Sequence, residues 1–170
     1  KALIAETGLA LGLRSPLFGM VARLSEQKGL DLVLPVMEDL LSQRDLGFVL
    51  LGSGDPGFEE RAQSLAAKFP AKMRLRLGYD EGLAHRIEAG SDFFLMPSRF
   101  EPCGLNQMYS LRYGTPPIVR STGGLADTVR DCDADPEGMG LVFGPYDPEA
   151  FRDAILRSLR LYQDAKRLKQ

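Results

Sequence analysis

The sequence predicts an α/β protein in which helices cover both faces of a parallel sheet, a doubly wound, Rossmann-like fold. Short apolar runs alternate with amphipathic stretches along the chain, in roughly six strand–helix units. Two of the runs, Phe48–Leu51 and Phe93–Met96, are apolar at every position, as expected of strands buried on both faces. No repeat, low-complexity tract or linker interrupts the alternation, so residues 1–170 are expected to form one domain.

The first half of the chain predicts three strands with a helix after each. A strand is expected at 17–22. Apolar residues at helical spacing follow from Leu30 to Leu41, and Pro35 is expected to kink that helix or to lie near its first turn. After the second strand, Asp55–Pro56 has the cap-plus-proline pattern of a helix start. Apolar residues alternate with arginine over Met73–Leu77, which predicts a strand near the sheet edge.

The second half continues the same alternation. Asp80 is expected to cap a helix with Leu83, Ala84 and Ile87 on one face, and the buried strand after it ends at Pro97. The remaining elements are predicted as a helix over Gly104–Tyr113, a strand over Pro117–Val119, a short helix from Gly124 or Leu125, a strand over Leu141–Phe143, and a helix started by Asp147–Pro148.

Composition and charge exclude several classes of function. The chain has 21 Lys and Arg against 23 Asp and Glu, a net charge of -2, which argues against broad binding to nucleic acid or a membrane surface. Its apolar runs are shorter than the ~20 residues of a transmembrane helix, and no signal peptide is visible. Cys103 and Cys132 form no CxxC pair and His85 is the single histidine, so no structural zinc site is expected and a reducing, cytoplasmic setting is favoured.

Two cations follow the first predicted strand. Arg23 and Lys28 lie five residues apart, between a strand end and a helix start. Ligands of doubly wound folds bind beyond the carboxyl ends of the strands, and two cations beside a helix N-terminus can hold one anion such as a diphosphate. Spacing alone leaves open the alternative that both are solvated surface cations, with Glu26 as an ion-pair partner.

A glycine-rich segment follows the second predicted strand. Residues 52–57 read G-S-G-D-P-G and match the G-x-G-x-x-G fingerprint of dinucleotide-binding folds. However, the segment does not follow the first strand, and Asp55 would put a carboxylate among pyrophosphate oxygens. Asp55–Pro56 also already has a role as a helix cap. A tight turn is the favoured interpretation, and an NAD-dependent oxidoreductase that uses Gly52, Gly54 and Gly57 is the alternative.

The densest polar segment is Pro97–Gln107. Glu101 follows a buried strand, where its carboxylate can accept hydrogen bonds from ligand hydroxyls. A helix is expected to start at Cys103 or Gly104 and to direct free N–H groups towards a ligand. The alternative is that Glu101 only complements the dipole of this helix.

Three further features are candidates for lesser roles. Residues 121–125 (S-T-G-G-L) form a second glycine-rich turn, suited to a ligand or to ordinary tight packing. Tyr79 is a candidate stacking surface for a base, or a half-buried packing residue. His85 is interpreted as a surface or capping residue, and the basic residues at 166–170 as the solvated end of a helix.

Six segments taken together resemble one family. In chain order they read V-A-R-L-S-E-Q-K-G-L-D-L-V (21–33), L-G-S-G-D-P (51–56), G-Y-D-E (78–81), P-S-R-F-E-P-C-G-L-N-Q-M-Y (97–109), Y-G-T-P-P-I-V-R (113–120) and S-T-G-G-L-A-D-T-V (121–129). The ordered set closely resembles the C-terminal lobe of bacterial glycogen synthases and plant starch synthases, over essentially the whole chain. This resemblance implies the GT-B architecture, in which the active site lies in a cleft between two Rossmann-like lobes.

The resemblance also implies a reaction and a set of roles. Glucose would be transferred from ADP-glucose to the non-reducing end of an α-1,4-glucan, with retention of configuration and without a metal or other cofactor. By position it assigns Arg23 and Lys28 to the diphosphate, Tyr79 to the adenine, Glu101 to the sugar-transfer centre, Cys103, Gly104, Leu105 and Asn106 to the donor site, and Thr122, Gly123 and Gly124 to the phosphate side. Tyr109 stands where related retaining transferases have a second glutamate, so no argument from paired carboxylates applies.

The chain resembles only part of such an enzyme. It opens on Lys1 and closes on Gln170 without a helix-terminating signal, and we expect a fragment that lacks the N-terminal, acceptor-binding lobe and the final tail. The chain is therefore expected to fold alone, to bind ADP weakly and to lack useful transferase activity. Its expected partners are ADP-glucose, glycogen and the other lobe. A non-catalytic nucleotide- or carbohydrate-binding module is the alternative to an enzyme.

Overall fold

The computed structural model describes residues 2–12 and 14–164, so the basic residues at 166–170 lie outside it. The strands in the described part are β1 (Leu17–Val21), β2 (Gly47–Gly52), β3 (Met73–Leu77), β4 (Phe93–Met96), β5 (Pro117–Arg120) and β6 (Leu141–Phe143). They form one parallel sheet in the order β3-β2-β1-β4-β5-β6. The doubly wound fold expected from the alternating pattern is confirmed.

Helices cover both faces of this sheet. They are α1 (Ala2–Thr7), α2 (Leu30–Gln43), α3 (Pro56–Lys68), α4 (Glu81–Gly90), α5 (Asn106–Arg112), α6 (Gly123–Thr128) and α7 (Pro148–Gln163). Helices α2, α3 and α7 pack on one face around Phe18, Phe48 and Phe93, and α1, α4, α5 and α6 lie on the other, which includes Leu17 and Phe94. Successive strand residues point to opposite faces, so each all-apolar strand supplies both cores.

The aspartates singled out as caps begin three of these helices. The Asp55 carboxylate accepts hydrogen bonds from the backbone amides of Gly57 and Phe58, at 2.8 and 3.4 Å. Asp80 and Asp147 each accept one from the amide three residues on, at 2.8 Å. Each carboxylate therefore satisfies amides that a helix start leaves without partners. The edge position predicted for Met73–Leu77 is also confirmed, because β3 ends the sheet.

Other boundaries differ from the sequence prediction. Helix α1 was not predicted, and Pro35 lies inside α2 as its sixth residue. The helix expected to start at Cys103 or Gly104 starts at Asn106 instead, so that prediction was wrong. The physical reason is local: Gly104 has φ +71, a left-handed conformation outside the helical region, and the Gln107 side chain donates to the carbonyls of Cys103 and Gly104, each at 3.1 Å.

The strand order fixes where a ligand site can form. From β1 the chain moves outward through β2 to β3, then returns across the sheet to β4 and moves outward again to β6. The neighbours β1 and β4 therefore flank a topological switch point, where the connections leave in opposite directions and open a crevice. The loops after these two strands are the Arg23–Gly29 loop and the Ser98–Glu101 loop.

Candidate functional site

The two loops at the switch point are packed directly on each other. The Arg99 amide donates to the Gln27 carbonyl at 2.9 Å. Gly29 has φ +83, and a Cβ there would lie 2.3 Å from the carbonyl oxygen of Pro97. Glycine is therefore required at position 29 both for its backbone conformation and for the close approach of the two loops.

This packing brings Lys28 and Glu101 together across 73 residues of sequence. Lys28 Nζ lies 2.5 Å from Glu101 Oε2, and Ser98 Oγ lies 3.2 Å from the same oxygen. The Glu101 side chain is 9% exposed, whereas the Lys28 side chain is 26% exposed. A buried carboxylate is stabilised by such a partner and donor. Arg23, exposed, donates to Gln27 Oε1 at 2.9 Å.

A cavity of about 760 Å³ opens above these residues. Seven of the predicted site residues line it: Arg23, Lys28, Tyr79, Glu101, Gly104, Leu105 and Asn106. The Tyr79 ring is 86% exposed, so its faces are free to stack against a planar group. The Asn106 side chain donates to the Val21 carbonyl at 3.0 Å, which joins the start of α5 to the end of β1.

The other four predicted residues, Cys103, Thr122, Gly123 and Gly124, do not line this cavity. The Gly124 amide instead donates to the Glu101 carbonyl at 3.0 Å. A Cβ at Gly123 would lie 2.2 Å from that carbonyl oxygen, and one at Gly124 would lie 2.0 Å from the Cys103 carbonyl oxygen. The glycine turn thus supports the backbone of the Glu101 loop, and its assignment to the phosphate side stays a prediction.

Packing also accounts for the glycine fingerprint at 52–57. A Cβ at Gly52 would lie 1.8 Å from the Ala22 carbonyl oxygen, and one at Gly54 would lie 2.4 Å from the Leu24 carbonyl oxygen. The Asp55 amide donates to the same Leu24 carbonyl at 2.8 Å. These glycines let the loop that carries Arg23 lie on the end of β2, and the interpretation as a tight turn suffices.

The cavity has ionisable residues that sequence analysis did not assign to it, including a pair on α4. His85 and Glu88, both on α4, line the cavity, and His85 Nδ1 lies 3.1 Å from Glu88 Oε2. Glu88 is 2% exposed, and burial raises its pKa even though the hydrogen bond from His85 opposes that shift. The signal that could have found Glu88 is its position one residue after Ile87 and four after Ala84, on the core-facing side of the helix.

The side chains of Arg120 and Tyr146 support the Ser98–Glu101 loop. Arg120 donates to the carbonyls of Ser98, at 3.1 Å, and of Arg99. The Tyr146 ring contacts both guanidinium groups, with its centroid 4.4 Å from that of Arg99 and 5.5 Å from that of Arg120. Its hydroxyl donates to Asp31 at 2.6 Å, and burial together with this carboxylate raises the pKa of Tyr146 to about 12.

Residues 2–12 and 14–164 contain no candidate metal-binding cluster and no candidate membrane-spanning helix. No group of three or more His, Cys, Asp and Glu side chains in this part of the chain is arranged to hold a metal ion. No helix within these ranges is both long and apolar enough to cross a membrane.

The family model described as "Glycosyl transferases group 1" matches residues 8–170. Glycogen synthase of Anaeromyxobacter dehalogenans (strain 2CP-C) is 56% identical over 165 residues, which covers 97% of this chain and 34% of that protein. Glycogen synthase of Dechloromonas aromatica (strain RCB) is 55% identical over 169 residues, covering 97% of this chain and 35% of that protein. The chain thus spans about a third of the length of these curated relatives.

A solved structure shows the same fold. The catalytic domain of starch synthase IV from Arabidopsis thaliana, bound to ADP and acarbose, has a TM-score of 0.89 and 38% identity, covering 99% of this chain and 36% of that one. Together these comparisons confirm the resemblance drawn from the six sequence segments and the GT-B type of Rossmann-like fold. None of these relatives is an oxidoreductase, so they do not support NAD chemistry at residues 52–57.

Proposed function

The chain belongs to the group 1 glycosyl transferases, and from this premise we propose that it is the nucleotide-sugar-binding, C-terminal lobe of an ADP-glucose-dependent glycogen synthase. The whole protein would transfer glucose from ADP-glucose to the non-reducing end of an α-1,4-glucan, with retention of configuration. The observation that carries this proposal is that Arg23, Lys28 and Glu101 line one cavity at the switch point of the sheet. Similar proteins named glycogen synthase support the glucan acceptor, and a similar structure bound to ADP supports the nucleotide.

Arg23 and Lys28 would bind the diphosphate. The Lys28 ammonium has three N–H donors, and its 2.5 Å contact with Glu101 occupies one of them, so the others can reach phosphate oxygens. The Arg23 guanidinium has five donors, and its 2.9 Å bond to Gln27 also occupies only one. Negative charge grows on the diphosphate as it departs, and cations held in position beforehand stabilise that charge in the transition state.

Glu101 would act on the sugar. In the transfer, the bond between glucose C1 and the β-phosphate oxygen breaks and C1 bonds to an acceptor hydroxyl oxygen. The hydroxyl proton passes to the departing diphosphate or to water, and the products are ADP and a glucan longer by one glucose. Because the glucosyl ring becomes positively charged as the first bond breaks, the buried Glu101 carboxylate would orient the sugar or stabilise the ring. The scheme needs no metal or other cofactor.

The predicted residues on the other walls of the cavity would bind the rest of the donor. The exposed Tyr79 ring would stack on the adenine, and Gly104, Leu105 and Asn106 would form the adjoining wall of the cavity. Cys103 and the Thr122–Gly124 turn would support the Glu101 loop from outside that wall.

The parts of the relatives that this chain does not match would supply the acceptor surface. Because the chain spans about a third of those proteins, we propose that it forms one lobe and works with a second lobe of the same enzyme. The isolated chain is expected to show no glucan elongation in a coupled assay. We place the enzyme in the cytoplasm, where the thiols of Cys103 and Cys132 stay reduced.

The proposal is tested by titrating the 170-residue chain with ADP, UDP and NAD and following backbone amide shifts by NMR. ADP is expected to shift amides around Arg23, Tyr79 and Gly104. Arg23→Ala should weaken ADP binding about ten- to a hundredfold, because a charge-assisted hydrogen bond contributes about 1.5–3 kcal/mol. Lys68→Ala is the charge-matched control, since Lys68 pairs with Glu38 at 2.7 Å and lies outside the cavity.

The outcomes separate the possible functions. NAD binding in place of ADP would contradict the transferase assignment. Equal losses of affinity in Arg23→Ala and Lys68→Ala would mean that ADP responds only to net charge, and the diphosphate site would then be wrong. Elongation of glycogen by the isolated chain would contradict the proposed division of labour between lobes.

A further inference from the structure

The buried carboxylate of Glu88 has an incomplete set of partners. Its side chain is 3% exposed and lines the cavity. Within residues 2–12 and 14–164, its hydrogen-bond partner is His85, which contacts Oε2. A carboxylate accepts hydrogen bonds at both oxygens. Neither Glu88 oxygen is both sealed from solvent and unpaired, so the oxygen that His85 does not contact is open to a ligand in the cavity.

The position of Glu88 in the fold disfavours a negative charge. Glu88 lies in the last turn of α4, where the helix dipole disfavours negative charge. Burial raises the pKa of Glu88, which means that the surroundings disfavour the charged form. A residue whose charged form is disfavoured by both the helix dipole and burial is expected at a functional site, where a ligand completes its hydrogen bonding.

The position of α4 indicates which part of a ligand would hydrogen-bond to the Glu88 carboxylate. Tyr79, just before the first turn of α4, and Glu88, in its last turn, both line the α4 wall of the cavity. The cations Arg23 and Lys28 come from the loop after β1. Within a nucleoside diphosphate, the nucleoside is the part that both stacks on an aromatic ring and carries neutral hydrogen-bond donors.

We propose that Glu88, held by His85, binds the nucleoside of the donor by accepting a hydrogen bond from it. The donor group is either the exocyclic amino group of the base or a ribose hydroxyl. This inference rests on the proposed function, because it assumes that a nucleoside diphosphate occupies the cavity. It adds a binding residue that the resemblance to the synthases did not assign.

The decisive variant is Glu88→Met, which removes the acceptor and fills a similar volume. Removing a negative charge would, by relief of Coulomb repulsion alone, strengthen binding of an anionic nucleotide. The proposal expects the opposite: ADP binding to the 170-residue chain weakened about tenfold, as for loss of one charge-assisted hydrogen bond. Stability against urea should be unchanged or higher, because a buried carboxylate has been replaced by an apolar side chain. Glu60→Met, on α3 outside the cavity, is the charge-matched control.

Three further ligands identify the donor group. Inosine diphosphate lacks the exocyclic amino group, and 2′,3′-dideoxy-ADP lacks both ribose hydroxyls. The penalty of Glu88→Met should vanish for the analogue that lacks the group bound by Glu88. Inorganic diphosphate should bind the variant and the unmodified chain equally.

Each result decides the question. Equal ADP affinity in Glu88→Met and the unmodified chain, with diphosphate binding intact, would overturn the role of Glu88 and leave the proposed function standing. A penalty that persists for both analogues would also overturn it. If neither ADP nor diphosphate binds the unmodified chain, the proposed donor site itself is wrong, and the inference falls with it.

Discussion

Replacing Gly29 with alanine should destabilise the fold and the site together. At φ +83, alanine costs about 1–2 kcal/mol relative to glycine, because its Cβ crowds the following carbonyl. The new Cβ would also lie 2.3 Å from the Pro97 carbonyl oxygen, so one of the two loops must move by roughly 1 Å to reach an ordinary contact of about 3.3 Å. Such overpacking adds about 1–3 kcal/mol. The expected total is about 2–5 kcal/mol, the sum of these two costs.

Gly114→Ala provides the matched control. Gly114 has a nearly identical φ of +79, but a Cβ there would meet nothing within 4 Å. It should therefore cost only the conformational penalty of about 1–2 kcal/mol. The difference between the two variants, measured by urea unfolding, isolates the contact between the Arg23–Gly29 loop and Pro97. Because Lys28 precedes Gly29, only Gly29→Ala should also weaken ADP binding. Equal destabilisation by the two variants, with ADP affinity unchanged, would refute the argument that this contact positions Lys28.

Two further predictions concern the side chains beneath the Glu101 loop. Arg120→Lys removes the two hydrogen bonds from the guanidinium to the Ser98 and Arg99 carbonyls. It should lower the free energy of unfolding by about 2 kcal/mol and weaken ADP binding. Unchanged affinity despite lower stability would show that the loop does not depend on Arg120. Tyr146, with its pKa raised to about 12, keeps its proton in the folded state above the unfolded value of about 10. Its contribution to stability is therefore complete below pH ~10 and is lost as the pH rises towards 12. Tyr146→Phe should flatten the decline of urea stability over that range, and an identical slope in both proteins would contradict this assignment.

Much of the fold follows from local chemistry that a sequence displays. Asp55, Asp80 and Asp147 cap the helices they were expected to cap, because a carboxylate before a helical face satisfies amides only a few residues away. The edge strand at Met73–Leu77 was equally visible, since half-exposed strands alternate in polarity. The start of α5 could not be predicted in this way. It depends on hydrogen bonds from the Gln107 side chain to the carbonyls of Cys103 and Gly104, which residue preferences do not reveal.

For the site residues too, local spacing could be read from the sequence, whereas contacts between distant residues could not. The spacing of Arg23 and Lys28 suggested a shared anion, but only the strand order brings Lys28 to Glu101. Glu88 and Arg120 were missed because their roles depend on groups distant in sequence or on burial. Glu88 looks like an ordinary helix residue until its surroundings are known, and Arg120 donates to carbonyls 21 and 22 residues away.

Close backbone contacts confine the loop that carries Arg23 and Lys28 on two sides, and this bears on how the site works. The Arg23–Gly29 loop lies against Pro97 on one side and against Gly54 on the other, at separations that exclude even a methyl group. A loop confined in this way has little freedom to lose when a diphosphate binds. Electrostatic stabilisation of a departing diphosphate requires such confinement. If the cations were mobile, the free energy needed to order them would offset the stabilisation that they provide. If the isolated chain binds ADP weakly, the cause would therefore be the lack of contacts that a second lobe supplies, because the loop of Arg23 and Lys28 is already in position.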